Sequence, residues 1–162
     1  MSTSFGTLLR ALAHGRVDFI VVGGIAAAVH GASRSTYDLD VVYARSSENI
    51  ERLADAVGPL EPYLRGAPPG LPFRLDRTTI GRGLNFTLVT SAGDLDLLGE
   101  IVGGGGYAEL LPHSEPVTVF GVECRCLSLD ALIAVKRAAG RVKDFEVLAE
   151  LEAIRDEKRR AR

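Results

Sequence analysis

Two aspartates one residue apart, Asp38 and Asp40, interrupt the otherwise apolar run Tyr37–Tyr43 (YDLDVVY). In an extended strand, residues two apart leave the same face roughly 6–7 Å from one another. Asp38 and Asp40 therefore point together, while Leu39 and Val41 turn the other way into a core. Two carboxylates that close repel, and one stays protonated unless a cation lies between them. A hard divalent ion with a preference for oxygen, most naturally Mg²⁺, resolves the conflict. A second strand pattern, Asp94-Leu95-Asp96-Leu97, offers a third carboxylate. Asp94 and Asp96 share parity there; Asp94 borders a turn at Gly93, and Asp96, deeper in the apolar segment, is the favoured candidate. Three converging carboxylates suit phosphoryl transfer at a pair of metal ions.

Groups that could hold phosphate lie nearby. Gly23-Gly24 follows the apolar strand Val17–Val22 and opens the helix former Ile25–His30. A glycine turn at a helix start lets backbone N–H groups approach an anion closely. Arg34 and Thr36 occupy the polar turn before the aspartates. For Arg34 two readings stand side by side: a bidentate phosphate clamp, or a structural ion pair with Asp38 or a neighbouring acid. Lys136 is one of three lysines in the chain and sits in the apolar helix LIAVKRAAG. It either reaches a triphosphate as a point charge or snorkels to solvent. Lys143-Asp144 reads as an ion pair or as an edge of the site, and His30 as a helix-end cap or packing residue. The terminal run Glu157–Arg162 (EKRRAR) is a solvated helix end or a contact for RNA phosphates.

The elements that must position these residues follow from periodicity. Ser4–Ala13 is an amphipathic helix with Phe5, Leu8, Leu9 and Leu12 on one face, and Val17–Val22 is a buried central strand. A helix opens at Ser46-Ser47-Glu48-Asn49 and runs to Val57. Gly58–Gly70, rich in proline and glycine, reads as a surface loop. Asn85–Thr90 and Leu95–Leu98 are strands joined by Ser91-Ala92-Gly93, and Gly103–Gly106 is a flexible connection. Val117–Phe120 and Val122–Leu127 form a hairpin about Gly121. Helices follow at Leu129–Ala138, capped by Ser128, and at Asp144–Arg159.

Composition bounds the rest. A chain of 162 residues suits one domain, with a core over about 17–127 and a C-terminal helical segment over about 128–160. A net charge of −2 gives no global attraction to nucleic acid or membrane, and no apolar run is long enough to span one. Cys124 and Cys126 face one side of a strand without further metal-ligand spacing, and they read as packing residues. Met1–Arg10 lacks the make-up of a signal peptide, so a reducing, cytoplasmic setting is expected.

The pattern GG…H-G…R-x-T-x-D-L-D, with GDLDLLG and LSLDALIAVKRAAGRVKD further on, resembles the polymerase-β-type nucleotidyltransferase superfamily. Its bacterial minimal branch, which includes the AbiEii-like toxins of type IV toxin–antitoxin systems, is the nearer likeness, from Val17 to about Leu151. The resemblance implies an α/β (α+β) nucleotidyltransferase fold, a mixed sheet flanked by helices with further helices at the C-terminus. It implies two Mg²⁺ ions, or Mn²⁺ in their place, and transfer of a nucleoside monophosphate from an NTP to an acceptor hydroxyl. The acceptor would be a tRNA end, a protein or a small molecule, and a cognate antitoxin is a further partner. By position, Gly23 and Gly24 match the phosphate-binding glycines, Asp38 and Asp40 the paired ligands, and Asp96 the third carboxylate. Many members carry Gly-Ser where this chain has Gly23-Gly24, which leaves fewer side-chain donors for phosphate; Arg34 and Thr36 are placed to compensate. Two alternatives stay open beside the enzyme: a nucleotide-binding or interaction protein with little turnover, and a plain α/β domain with surface aspartates.

Overall fold

A computed structural model describes residues 2–162. The first half runs α1 Phe5–His14, β1 Phe19–Val22, α2 Gly23–Val29, β2 Asp38–Tyr43, α3 Ser47–Val57, β3 Tyr63–Leu64, α4 Arg77–Arg82 and β4 Phe86–Thr90. It continues with β5 Gly93–Leu98, β6 Glu100–Ile101, β7 Gly105–Gly106, α5 Tyr107–Leu110, β8 Ser114–Val119, β9 Val122–Leu127, α6 Leu129–Ala139 and α7 Phe145–Arg160. Seven strands form one sheet in the order β3-β4-β5-β2-β1-β9-β8. The β1–β9 and β2–β5 pairs are parallel and the other four are antiparallel, so the sheet is mixed.

Strand alternation divides the sheet into unlike faces. Leu39, Val41 and Tyr43 of β2, with Leu95 and Leu97 of β5 and Leu88 of β4, are essentially inaccessible. On the opposite face, Asp38, Asp40, Asp94 and Asp96 are half-buried, and Thr87 and Val89 of β4 are exposed. Helices α1, α3 and α4 pack together as one group, and α2, α6 and α7 as another. Buried Asn49 fastens α3 to the ends of β1 and β2: its Nδ2 donates to the carbonyls of Asp18 (3.1 Å) and Ala44 (2.7 Å), and its Oδ1 accepts from Asp18 N–H (2.7 Å). Ser46 caps α3 through Asn49 N–H, and Ser128 caps α6 through Ala131 N–H.

The structure corrects several boundaries. Gly58–Gly70 is not structureless: it contains a 3₁₀ turn and edge strand β3, too short to show alternation. Gly103–Gly106 is not a free connection, because Gly105 and Gly106 pair with Ile101 and Glu100 in a small hairpin. Helix α2 begins at Gly23 itself, two residues before the expected start. The short helix α4 had no counterpart among the expected elements; it buries only Ile80 and so shows no stripe. Among the described residues, no helix is long and apolar enough to cross a membrane.

Candidate active site

The parallel register of β2 and β5 sets Asp40 opposite Asp96 and Asp38 opposite Asp94. Opposed residues project to one face, and one oxygen each from Asp38, Asp40 and Asp96 lie within 4.8 Å of one another. Asp96 thus joins the pair, while Asp94 turns toward Arg65, its Oδ2 3.4 Å from Arg65 Nε. Asp40 is the most constrained member. Burial, then the neighbouring charges of Asp38 and Asp96, push its carboxyl up to about 8. Burial also raises Asp96, against a hydrogen bond from Arg65 that favours its ionised form.

The Oδ1 atom of Asp40 is buried with no hydrogen-bond partner among the described residues. A buried acceptor left unmatched costs about 1–3 kcal/mol or more. Three hard oxygen donors converging beside such an orphan fit a hard divalent cation such as Mg²⁺ or Mn²⁺.

Gly23 and Gly24 are required by this arrangement. At Gly23 φ is +66°, and an added Cβ would stand 2.0 Å from Asp40 Oδ2. At Gly24 an added Cβ would stand 2.6 Å from Thr36 Oγ1. The pair lets the start of α2 close directly onto the carboxylate strand. Thr36 is spent in the same contact, and its hydroxyl donates to the carbonyl of Asp38 at 3.2 Å.

Two cavities flank the carboxylates and share Asp40, Asp96, Lys136 and Arg141. One, of about 370 Å³, is bounded by Gly24, Arg34, Thr36, Asp38 and Lys143 and is rich in cations. The other, of about 380 Å³, lies between the sheet and α6, with apolar walls from Leu98, Ile101, Val102, Leu132 and Val135. Lys136 enters both, but its Nζ contacts Asp144 at 3.3 Å, and Arg141 Nε donates to the other oxygen of Asp144 at 2.7 Å. Burial opposes ionisation of Asp144, yet the Arg141 hydrogen bond and the Lys136 charge prevail and hold its carboxyl below the usual range. For Lys143-Asp144 the ion pair is not made, since Asp144 pairs with Lys136 and Arg141, while Lys143 and Asp144 both line the cation-rich cavity. Of the two readings of Arg34, the structure shows an ion pair, made with Glu146 of α7 and not with Asp38.

Two cations of the site escaped the sequence reading: Arg141, which lines both cavities, and Arg65. Arg65 Nη2 donates to Asp96 Oδ1 at 2.8 Å and to the carbonyl of Leu88 at 2.8 Å. It follows a two-residue strand inside a proline- and glycine-rich stretch, where no local pattern marks it. His30 is buried, with Nε2 2.8 Å from the carbonyl of Leu127, which joins the end of α2 to β9 as a packing residue would. Cys126 is buried and its thiol is pushed up to about 12 by burial, an inert state.

No model of a known protein family matches the chain, and no curated protein is similar to it in sequence. Solved structures are similar to it in fold. One is a protein of Thermotoga maritima described as a candidate nucleotidyltransferase, with TM-score 0.56 and 15% identity over 88% of this chain and 86% of that one. Another is ANT(2″)-Ia in complex with adenylyl-2″-tobramycin, with TM-score 0.54 and 16% identity over 96% and 94% of the two chains. A solution structure of the same antibiotic-resistance factor gives TM-score 0.52 and 16% identity over 96% and 89%. The shared architecture is a mixed sheet flanked by helices, the nucleotidyltransferase fold.

Proposed function

We propose that the chain is a nucleotidyltransferase that moves a nucleoside monophosphate from an NTP to an acceptor hydroxyl. The observation that carries this reading is the meeting of Asp38, Asp40 and Asp96 within 4.8 Å, beside a glycine-started helix, in a fold shared with nucleotidyltransferases. Asp38, Asp40 and Asp96 would hold the divalent cation, Mg²⁺ or Mn²⁺, in one or two copies. Bound there, such ions supply charge neutralisation and Lewis-acid polarisation of phosphate oxygens.

The chain's own residues do the rest. The cation-rich cavity, with Gly24 at its wall and Arg34, Lys136 and Lys143 around it, takes the triphosphate, and Gly23 lines the adjoining cavity. The acceptor oxygen bonds to the α-phosphorus while the bond from that phosphorus to the β-bridging oxygen breaks. The leaving electron pair departs with pyrophosphate. Asp96 orients the acceptor hydroxyl and receives its proton. A cavity of about 380 Å³ has the size of a small-molecule site, and the basic residues Arg155, Arg159 and Arg160 of α7 are engaged with Asp156, Asp130 and Glu157. Both observations favour a small-molecule acceptor over RNA.

The test is incubation with Mg²⁺ and each labelled NTP, with small hydroxyl compounds, aminoglycosides among them, or with bulk tRNA, scoring pyrophosphate release. Release that requires Asp40 supports the reading. An NTP- and Mg²⁺-dependent thermal shift without pyrophosphate would support the nucleotide-binding alternative instead. A toxin–antitoxin setting rests on the sequence resemblance; growth arrest on expression that disappears with Asp40→Asn is its test.

A further inference from the structure

We propose that Arg65 is the resident counter-cation of the carboxylate cluster and the residue that aims Asp96 into it. Its backbone is fixed first: Arg65 N–H donates to the carbonyl of Thr87 at 3.0 Å, which extends the β3–β4 ladder by one residue. Its guanidinium is fixed next. Nη2 bonds both the Leu88 carbonyl and Asp96 Oδ1, each at 2.8 Å, and Nε stands 3.4 Å from Asp94 Oδ2. One planar group thus spans two carboxylates of β5 and the backbone of β4.

The contact with Asp96 uses a single oxygen, so the other remains for the cluster. Asp38, Asp40 and Asp96 converge within 4.8 Å, a closeness that opposes their joint ionisation unless a positive group stands against them. Lys136 lines the same cavities but is held by Asp144, so Arg65 is the cation in direct contact with the cluster among the described residues. A lysine in its place would keep the charge but could not bond Leu88 O and Asp96 in one plane while reaching Asp94. Arg65 lines neither cavity, so its role is positioning and not substrate contact.

The catalytic part of this proposal rests on the nucleotidyltransferase reading; the electrostatic part does not. The experiment therefore uses the whole chain in two states. With chelator present, melting is measured for Arg65→Gln, Arg65→Lys, Asp96→Asn and the double variant Arg65→Gln/Asp96→Asn. Arg65→Gln is expected to melt several degrees below wild type, most of that loss disappearing in the Asp96→Asn background, with Arg65→Lys in between. Titration with Mn²⁺ is expected to show several-fold weaker binding to Arg65→Gln, because Asp96 is no longer held toward the other two carboxylates, with Arg65→Lys in between. At saturating metal, kcat of Arg65→Gln is expected to fall about tenfold or more, through misplacement of Asp96, while KM for NTP stays within about twofold. An unchanged metal-free melting temperature, a loss independent of Asp96, or unchanged or tighter Mn²⁺ binding would overturn the proposal. A wild-type chain without pyrophosphate release would sink the enzyme reading and leave the melting and Mn²⁺ results to decide Arg65 by themselves.

Discussion

Asp38, Asp40 and Asp96 leave neighbouring strands in register and meet with one of their buried oxygens unbonded. The cations across the cavities are held otherwise: Lys136 and Arg141 share Asp144, and Arg34 rests on Glu146. The acid centre therefore keeps an unbonded buried oxygen on a rigid sheet, an arrangement that fits a cation. Lys136, Arg141 and Arg34 are already paired, and a triphosphate bound there would compete with Asp144 and Glu146 for them. Substitutions should divide along the same line, with the carboxylates governing turnover and metal response and the cations governing nucleotide affinity.

Asp40→Asn carries the largest expected effect. Pyrophosphate release should fall by about 10³-fold or more, since several kcal/mol of charge stabilisation depend on the cluster. Metal-free stability should rise instead, because the variant removes a carboxyl whose ionisation the fold opposes. Folded Asp40 titrates at about 8 against an ordinary value of 3.8. Its contribution to stability is thus present below the lower value and is lost as pH climbs through the upper one. In chelator, the wild-type melting temperature should decline from pH 5 to pH 8, with a flatter profile in Asp40→Asn. Metal binding must displace that proton, so apparent Mg²⁺ affinity should increase over the same interval. Parallel melting profiles for the two proteins would break the comparison at its acid end.

The acid centre was legible because strand parity is local. Apolar residues at Leu39, Val41, Leu95 and Leu97 force the aspartates between them onto the other face, and one register then joins the two strands. The basic flank was only half legible. Lys136 was visible as an unusual lysine, but its partner lies eight residues on, beyond the left-handed break at Gly140, and adjacency had suggested Lys143 for Asp144. Arg34 meets an acid on α7 that only helix packing brings near. Arg65, strand β3 and α4 left no trace for a related reason: edge pairing and a single buried Ile80 create no period.

Gly23→Ala comes next, and Gly121→Ala is its control. Both glycines have positive φ, +66° and +75°, so each substitution carries backbone strain on the order of 1 kcal/mol. Gly121, in the β8–β9 turn, has open space where a Cβ would stand, whereas at Gly23 that position is 2.0 Å from Asp40 Oδ2. Gly121→Ala should therefore melt slightly lower with full metal response. Gly23→Ala should lose most of its Mg²⁺-dependent stabilisation and turnover, roughly 10²-fold in kcat for displacement of a catalytic group. Equal behaviour in the two variants would show that Gly23 serves the chain only as a turn.

Lys136→Met tests the flank from inside. Asp144 retains Arg141, so the fold should survive, and KM for NTP should rise about tenfold, with kcat changed far less. A collapse of kcat comparable to that of Asp40→Asn would place Lys136 with the acid centre and erase the distinction between the two regions.

Arg34 carries the smallest expected effect and sharpens the comparison most finely. Its ion pair with Glu146 is exposed, with side-chain accessibilities of 47% and 78%, and such pairs contribute about 0–1 kcal/mol. Arg34→Ala should hardly move the melting temperature, while raising KM for NTP by about threefold at low ionic strength and less at high salt. Glu146→Gln frees the guanidinium without removing it, so KM should fall slightly in that variant. Opposite signs in these two variants would show that the flank's cations are held in reserve by their acids. Identical small losses would instead make the pair a hinge between the Arg34 turn and α7, leaving the phosphate to Lys136, Lys143 and the backbone at Gly23 and Gly24.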